Sequence, residues 1–434
     1  MITKRFTRGV AGLAVLASLA ACGDLLNVSD PQRYTNDDLD ASLSAVANGV
    51  EGAVHQELDQ FVVYQALLAD EYQHTGTWQG YDEVDHGIFQ YGTSAMDGTF
   101  NNLLRARWFA LDSEERLKRV LGDQAAESSS YTAQVRFSGA LADLYLGMAF
   151  CEAPADPAGP AVSDSEILQQ AVDEFTTTIA TAQAAGNAAI AMAATAGRAR
   201  ANLLLGNYAA AAADASTVPD TFSYSARFNN SNANWVVTVT TATFNEAAGM
   251  MEKWWSSVDS TGPGATSIRD PWTGELDPRM PVHWDGDRAT DNVTPHYSQW
   301  KYTLETDDIP MLHADEMRLI EAEALMRTSD FVGATAIINQ LRTDVGLSTV
   351  PVPGTAADMQ ALLLTERFAE MCMEGMRAVD LYRFGITEQV FAAMADSERP
   401  SSGRPTKFPM SNEEANDNPN IDNDLLQRCL PRTP

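Results

Sequence analysis

The run Leu205-Gly206-Asn207-Tyr208-Ala209-Ala210-Ala211 carries the clearest signal for the fold class. It interrupts an alanine-rich segment, residues 188–215, with a glycine, which turns the chain back more easily than other residues. Alanine favours helix, and the small side chains after Tyr208 let two helices approach closely. Pro219 follows where the second helix would have to stop. The run therefore predicts two antiparallel helices joined at Gly206.

The same arrangement recurs in the C-terminal third of the chain. An apolar stripe over residues 317–324 is followed by Thr328-Ser329-Asp330, which predicts a turn and an N-cap. A second stripe runs from Phe331 to Val345, and Gly346 then closes that helix. Both helical pairs resemble the helix-turn-helix unit of tetratricopeptide repeats. Further helices are predicted over residues 39–70, 100–121, 131–150 and 167–184. We therefore predict a mainly all-α fold on a scaffold of tetratricopeptide-like helical hairpins, with unrelated hairpins of a helical bundle as the alternative.

Residues 220–308 differ from the helical segments on either side. They are rich in Asn, Thr, Gly, Pro and Trp, and they contain one short β-like run, residues 235–240. Long segments without regular structure are uncommon in compact proteins unless they are functional. We therefore predict a loop-rich insert at 220–308, between the N-terminal helices and hairpins of 22–219 and the C-terminal helices and tail of 309–434, and we expect the insert to carry a ligand or partner surface.

Aromatic residues in loops are the candidate ligand contacts. Trp78 and Tyr81 lie in a loop that contains Gly76 and Gly80, where no apolar periodicity requires a ring. Indole and phenol rings combine a flat apolar face with a polar edge, which suits stacking on a sugar ring or an apolar side chain. The alternative for each ring is ordinary core packing. The predicted ligand-binding residues are Trp78, Tyr81, Trp272, Trp284 and Trp300, and the insert also contains Trp254, Trp255 and Tyr297.

The N-terminus carries an export signal. Basic residues at positions 4, 5 and 8 precede an apolar run, residues 10–20, which is typical of a signal peptide and too short to span a bilayer. The run ends in Leu19-Ala20-Ala21-Cys22, which resembles the lipobox of bacterial lipoproteins, where the cysteine receives a diacylglyceryl group. We therefore predict that residues 1–21 are a lipoprotein signal peptide and that Cys22 is lipidated. The alternative is an ordinary signal peptide with an incidental cysteine.

The charge of the sequence limits the class of molecule that the chain can bind, and its cysteine content limits the disulfides that it can form. The 434 residues include 59 acidic and 29 basic side chains, for a formal net charge of −30. Nucleic-acid binding draws its affinity from Lys and Arg, so this balance argues against a nucleic-acid partner. Besides the lipidated residue, Cys151, Cys372 and Cys429 allow one disulfide and leave one thiol, and the sequence does not select the pair.

The sequence contains no motif that would carry catalysis or bind a metal. It lacks the G-x-S-x-G, P-loop, Rossmann, C-x-x-C and H-E-x-x-H patterns. The segment His313-Ala314-Asp315-Glu316 fits the start of a helix better than a metal site. We therefore predict no catalytic residue, no metal and no cofactor, although the many acidic residues leave open a carboxylate pair of the kind that glycosidases use.

Four charged residues near the C-terminus share a spacing of three. Glu374, Arg377, Asp380 and Arg383 alternate in sign, so each can pair with its neighbour along one helix face. A ladder of compensated charges is typical of a structural salt network at the surface or between helices. We therefore predict a structural role for these charges and do not assign them to a ligand.

An ordered set of short motifs in this region resembles the SusD/RagB family, and no single motif is specific by itself. The motifs are Asp277-Pro278-Arg279, Asp308-Ile309-Pro310, Glu316-Met317-Arg318-Leu319-Ile320-Glu321-Ala322-Glu323-Ala324, Ile338-Asn339-Gln340-Leu341-Arg342, Gly346-Leu347, Glu366-Arg367, Glu370, Glu374-Gly375-Met376-Arg377, Asp380-Leu381-Tyr382-Arg383, Phe408-Pro409-Met410 and Asn418-Pro419. The lipobox and the helical hairpins agree with this resemblance, which covers nearly the whole chain after Cys22.

The resemblance implies a function as well as a fold. Members of the family are lipid-anchored proteins on the exterior of the outer membrane that capture a glycan, or sometimes a peptide, and deliver it to a TonB-dependent (SusC-like) outer-membrane barrel without catalysing a reaction. Their ligand sites are aromatic arcs on loops, which implies that Trp78 and Tyr81 lie beside tryptophans of the insert. A tetratricopeptide-type lipoprotein that serves as a scaffold for outer-membrane assembly is the alternative, and the long insert argues against it.

Overall fold

The computed structural model describes residues 35–89, 96–157, 159–241, 246–255, 263–394, 403–421 and residue 429. By its contacts the chain divides into two units, Met1–Val46 and Ala47–Pro434. In the described part of the first unit, helix α1 (Asn36–Ala41) begins with a capping box, in which Thr35 and Asp38 each bond the other's backbone N–H. Cys22, the predicted lipidation site, lies outside the described residues.

Helices dominate the described residues, as the sequence predicts. After α1 they are α2 (Leu43–Leu68), α3 (Gln79–His86), α4 (Asp97–Leu121), α5 (Asp123–Ala126), α6 (Ser130–Ala149), α7 (Asp164–Ala184), α8 (Ala188–Leu204), α9 (Tyr208–Ala215), α10 (Trp235–Thr238), α11 (Glu252–Trp255), α12 (Ala314–Arg327), α13 (Phe331–Asp344), α14 (Ala356–Glu370), α15 (Arg377–Arg383), α16 (Thr387–Met394) and α17 (Asn412–Asp417). The predicted all-α class is confirmed. None of these helices is long and apolar enough to cross a lipid bilayer.

Short strands connect the helices. They are β1 (Tyr72–His74), β2 (Glu152–Pro154), β3 (Ala161–Ser163), β4 (Ser223–Ala226), β5 (Ala248–Met250), β6 (Gly264–Arg269), β7 (Leu276–Arg288), β8 (Pro295–Gln299) and β9 (Ile309–His313). All the strand pairs are antiparallel: β1 with β5, β2 with β3, β4 with β9, and β6, β7 and β8 in one three-stranded sheet.

The two predicted helical hairpins form as expected. Gly206 has φ of +78° between α8 and α9, a left-handed conformation that glycine adopts without a steric penalty. In the second hairpin, an Asp330 side-chain oxygen accepts the Gly333 N–H at 2.8 Å and caps α13, and Gly346 follows its end with φ of +86°. Helix α9 packs against α12, so the two hairpins belong to one helical scaffold.

Close helix contacts build the core of this scaffold. Helices α4, α6, α7 and α8 pack on one another in chain order. Phe137 and Phe175 are fully buried, and a Cβ on Gly197 would lie 2.5 Å from the Phe175 ring, so α8 can approach α7 only with glycine there. Burying one such phenylalanine contributes about 1.5–3 kcal/mol.

The insert is more ordered than the sequence suggests. Its centre is the β6-β7-β8 sheet, which the composition did not predict. The strand prediction for residues 235–240 is wrong: Trp235–Thr238 is a single helical turn, capped by Asn234, whose side-chain oxygen accepts the Val236 N–H at 3.0 Å. The boundaries of the insert at residues 219 and 308 stay a prediction.

The cysteine pairing is decided by the fold. Cys151 and Cys429 form a disulfide with their Cα atoms 5.6 Å apart, and Cys372 is a buried free thiol. The main chain of Phe408 lies beside this bond, since its carbonyl oxygen accepts the Cys151 N–H at 3.1 Å. The disulfide therefore ties a C-terminal residue to the end of α6.

The charges of residues 374–383 have a structural role, as predicted, but most of them pair across elements. Arg377 donates to Asp70 at 2.6 Å, and Arg383 donates to Glu323 at 2.6 Å. Of the predicted neighbour pairs, Asp380 with Arg383 forms at 2.8 Å. The partners are buried rather than solvated, so each pair joins two parts of the core, and removing one member would leave a buried charge without compensation.

Candidate functional site

Three aromatic residues meet where helix α3 begins. Trp78 occupies the N-cap position of α3 and has 43% of its surface exposed. Its ring centre lies 5.5 Å from that of Tyr81 and 6.1 Å from that of Trp235, which comes from α10 in the insert. We call Trp78, Tyr81 and Trp235 the aromatic cluster. The structure thus brings the first loop and the insert together, as the family resemblance implied.

Tyr81 supports the other two rings from below the surface. It is 1% exposed, its hydroxyl accepts the Trp235 Nε1–H at 2.6 Å, and the Tyr64 ring packs edge-on against it at 5.4 Å. With so little surface, Tyr81 offers a ligand almost nothing to contact. Its contribution to a binding site is to hold the two indole rings. The half-buried Trp235 was missed in the sequence because the run that contains it resembles a strand.

Backbone contacts fix the loop that carries Trp78. Strand β1 pairs with β5, and just beyond β1 the Thr75 N–H donates to the Ala247 carbonyl at 3.2 Å. The Thr75 carbonyl in turn accepts the Asp291 N–H at 3.1 Å. A Cβ on Gly76 would lie 2.7 Å from Cα of Ala247, so only glycine fits this approach. Two segments of the insert therefore hold the Trp78 loop in place.

Burial shifts the pKa values of two hydrogen-bonding groups behind the cluster. Asp59 accepts the Trp235 N–H at 2.7 Å, and burial raises the pKa of Asp59 to about 7. Burial also raises the pKa of Tyr81 well above its ordinary range, so its hydroxyl stays protonated. The cluster therefore offers an apolar ring face backed by hydrogen-bonding groups, which suits a ligand with apolar faces and polar edges.

Trp284 belongs to the sheet of the insert rather than to the cluster. Its ring stacks on that of Tyr297 at 5.8 Å, and Tyr297 is buried. Trp284 is half-buried, packs against the main core, and its Nε1 is buried with no hydrogen-bond partner among the described residues. The ring contacts of Trp284 thus resemble core packing more than an exposed binding surface.

Trp300 and Trp272 are both exposed. Trp300 is 40% exposed, stacks on His283 at 4.3 Å and lines an open cleft of about 250 Å³ together with Arg279, Lys301 and Glu370. Trp272 is 39% exposed, and its Nε1 donates to Thr365 Oγ1 at 3.4 Å on α14. By their ring contacts the five predicted residues fall into three groups: the cluster with Trp78 and Tyr81, the sheet position of Trp284, and these two exposed rings. One binding arc formed by all five stays a prediction.

The remaining aromatic residues of the insert have core roles where they are described. Trp254 stacks on Phe368 at 4.5 Å, and its Nε1 donates to the Asp70 carbonyl. Tyr297 is buried against Trp284. The side chain of Trp255 lies outside the described part of the structure.

Paired charges lie behind the cleft of Trp300. Lys301 donates to Glu374 at 2.7 Å and to the main-chain carbonyls of Glu370 and Cys372. Burial by itself would raise the pKa of Glu374, but Lys301 and His313 lower it to about 2. Burial likewise tends to lower the pKa of His313, and the Glu374 carboxylate outweighs that effect and raises it. These charges compensate one another, so Lys301, His313 and Glu374 behind the cleft are already paired.

Comparison with known proteins shows similarity to one family over part of the chain and similarity in fold over most of it. Residues 279–425 match the model of the SusD family. A SusD superfamily protein from Bacteroides vulgatus ATCC 8482 is similar over 88% of this chain and 98% of its own, with TM-score 0.70 and 16% identity. A SusD-like carbohydrate binding protein from the same strain is similar over 80% and 83%, with TM-score 0.62 and 13% identity. A laminarin binding SusD-like protein is similar over 87% and 98%, with TM-score 0.56 and 16% identity. No curated protein matches the sequence.

Proposed function

We propose that the chain is a member of the SusD/RagB family, whose model matches residues 279–425. In this proposal it is a surface-exposed outer-membrane lipoprotein that captures a nutrient, in the first instance a glycan, and delivers it to a TonB-dependent transporter. The observation that carries the glycan proposal is the exposed indole face of Trp78, held over Tyr81 and Trp235 in the aromatic cluster. The similarity to a carbohydrate binding protein and to a laminarin binding protein supports the same ligand class.

The chemistry of the cluster favours a neutral sugar over an anionic ligand. One face of a pyranose ring presents C–H groups that stack on an indole, and its hydroxyls hydrogen-bond at the ring edge. The net charge of −30 disfavours an approaching anion. An extended peptide with apolar side chains could use the same face, so peptide capture is the alternative ligand class within this proposal.

The exposed ring of Trp300 is a second proposed contact. Trp300 lines an open cleft, whereas Trp284 is packed in the sheet. Among the predicted tryptophans outside the cluster we therefore expect Trp300 first, and the exposed Trp272 second, to contact ligand. The cluster and the cleft are separate groups, so separate substitutions test them.

The test is a binding titration with laminarin as the first probe, followed by a panel of other neutral glycans and of peptides. Trp78→Ala should weaken binding about 10-fold or more, because truncating a central aromatic contact commonly costs above about 1.4 kcal/mol. Trp108→Ala is the matched control, because Trp108 is 48% exposed but lies on α4. Equal affinity of Trp78→Ala and the native chain for every ligand that binds would contradict the cluster as the site.

Anchoring and delivery are tested separately from ligand capture. We propose that Cys22 carries the lipid and that the barrel partner is SusC-like. Cys22→Ala should release the protein from outer-membrane fractions, and a mild-detergent pull-down of the native chain should recover a TonB-dependent barrel. A variant that still sediments with membranes, combined with a pull-down that lacks a barrel, would contradict this part of the proposal.

A protein-binding role has one observation in its favour. Trp108, Phe109 and Leu111 are exposed on α4, and an exposed group of large apolar side chains often marks a contact with another protein. The same pull-down distinguishes the two functions, since recovery of outer-membrane assembly proteins in place of a barrel would favour the scaffold alternative.

A further inference from the structure

A histidine and two carboxylates converge at the junction of three elements. His313 ends β9, Asp315 lies in the first turn of α12, and Glu370 ends α14. One potential ligand atom from each of these three side chains lies within 4.8 Å of the other two, and all three side chains are half-buried. No other group of this kind, with three or more such side chains, is present in the described part of the chain.

The His313 ring is held in one orientation by a second carboxylate. Its Nε2 lies 3.0 Å from Glu374 Oε2, and Glu374 is buried. When Nε2–H donates to Glu374, the lone pair of the neutral ring is on Nδ1. Histidines that bind metals commonly donate their other ring N–H to a carboxylate, which fixes the tautomer and makes the ligating nitrogen more basic.

Asp315 and Glu370 each have a carboxylate oxygen that forms no hydrogen bond within the described residues. Asp315 forms no side-chain hydrogen bond or ion pair within the described residues. Glu370 uses Oε2 to accept from Arg279 Nη1 at 3.3 Å, which leaves Oε1. The nearby cations are already engaged, because Arg279 also bonds Asp277 at 2.7 Å and Lys301 bonds Glu374 at 2.7 Å.

We propose that His313, Asp315 and Glu370 form a binding site for a divalent transition-metal ion, with zinc as the best match. Imidazole nitrogen together with carboxylate oxygen suits zinc and its neighbours, whereas calcium prefers oxygen ligands alone. Zinc binds such atoms at about 2.0–2.2 Å, so the three ligand atoms have to close to about 3.4 Å from one another.

The ion would join β9, α12 and α14 and would lie beside the cleft of Trp300, which Glu370 also lines. Three protein ligands leave a coordination position for water or for an oxygen of a bound molecule. The sequence alone predicted no metal site, because Glu370 lies far from His313 along the chain and only the fold brings them together. The inference does not depend on the proposed glycan binding.

The test uses the full-length chain in mild detergent, with the affinity tag removed and metals stripped by chelation. Titration calorimetry with zinc chloride should give one saturable site, and zinc should raise the melting temperature. Asp315→Asn is the decisive variant, because the Asp315 side chain forms no hydrogen bond or ion pair within the described residues and asparagine keeps its size. It should weaken zinc binding at least about 10-fold, as should Glu370→Gln and His313→Gln. Asp112→Asn, an exposed carboxylate on α4, should bind as the native chain does.

Two outcomes would overturn the inference. One is the absence of a saturable zinc site in the native chain. The other is a site whose affinity changes less than about 2-fold in both Asp315→Asn and Glu370→Gln, which would place the bound zinc elsewhere. Anomalous diffraction at the zinc absorption edge then provides a direct check, with a single peak expected between these three side chains. A calcium titration tests the role of the histidine. Calcium binding at this site in preference to zinc, with an affinity that His313→Gln does not change, would contradict that role.

Discussion

The buried acid Glu71 makes stability depend on pH in a direction that can be worked out from the structure. Glu71 is fully buried, and its Oε1 accepts the Met373 N–H at 2.9 Å. Its Oε2 is buried with no hydrogen-bond partner among the described residues. Burial, reinforced by the neighbouring Asp70 carboxylate, raises the pKa of Glu71 from 4.5 to about 7. We predict that Glu71→Gln stabilises the protein at neutral and alkaline pH.

The sign and size follow from proton linkage. The folded chain holds the Glu71 proton more tightly than the unfolded chain, so the stability that this proton contributes is complete below pH 4.5 and is lost as the pH rises through about 7. Each pKa unit corresponds to about 1.4 kcal/mol, so the loss amounts to about 3 kcal/mol. The amide in Glu71→Gln does not titrate, and its oxygen can still accept the Met373 N–H.

Urea unfolding followed by tryptophan fluorescence at pH 4.5, 6, 7 and 8 measures this effect. The free energy of unfolding of Glu71→Gln minus that of the native chain should rise by about 3 kcal/mol between pH 4.5 and pH 8. Other buried acids, such as Asp59, are present in both proteins and cancel in the difference. Glu115→Gln, at an exposed position, should give a difference that does not change with pH. If the difference in the free energy of unfolding between Glu71→Gln and the native chain is also constant with pH, the raised pKa of Glu71 is contradicted.

Three further predictions concern a loop, a disulfide and an ion pair. Gly76→Ala should weaken glycan binding, because its Cβ collides with the opposing backbone and moves the Trp78 loop; the laminarin titration checks it, and native affinity would contradict it. Reducing the disulfide of Cys151 and Cys429 should lower the free energy of unfolding by about 2–5 kcal/mol, measured by urea unfolding with and without reductant, where coincident curves would be the contrary result. Asp70→Asn should lower the free energy of unfolding by about 3–5 kcal/mol, because it removes the carboxylate that neutralises the buried guanidinium of Arg377, to which it bonds at 2.6 Å. Adding Arg377→Met should recover part of that loss in the same urea unfolding, and strictly additive losses would show that the two residues are not coupled.

The helical scaffold could be predicted because its signals are local. An apolar stripe, a capping side chain and a left-handed glycine act within a few residues, so the turns at Gly206 and Gly346 are encoded where they occur. The insert could not be predicted in the same way. Strand β7 contains Pro278 and Pro281, and proline argues against a central strand. Strands β6 and β8 nevertheless both pair with β7, and each pair contains a shift of register.

The strand prediction at Trp235 failed because distant groups decide that conformation. Its β-branched neighbours favour a strand locally. The Trp235 N–H instead donates to Asp59, and the Asn234 N–H donates to the carbonyl of Glu305, from the other end of the insert. These contacts outweigh a propensity worth less than about 1 kcal/mol per residue.

The helical class, the hairpin turns, the family resemblance and the aromatic residues that are candidate ligand contacts follow from the sequence. Which of those rings are exposed, which partner each buried charge takes, which cysteines pair, and that His313 and Glu370 meet follow only from the folded chain. The two groups of features differ in the separation along the chain over which the underlying interactions act. Periodicity and capping act over one or two turns of chain, whereas burial, ion pairing and ligand geometry join residues hundreds of positions apart, as Arg377 with Asp70 illustrates.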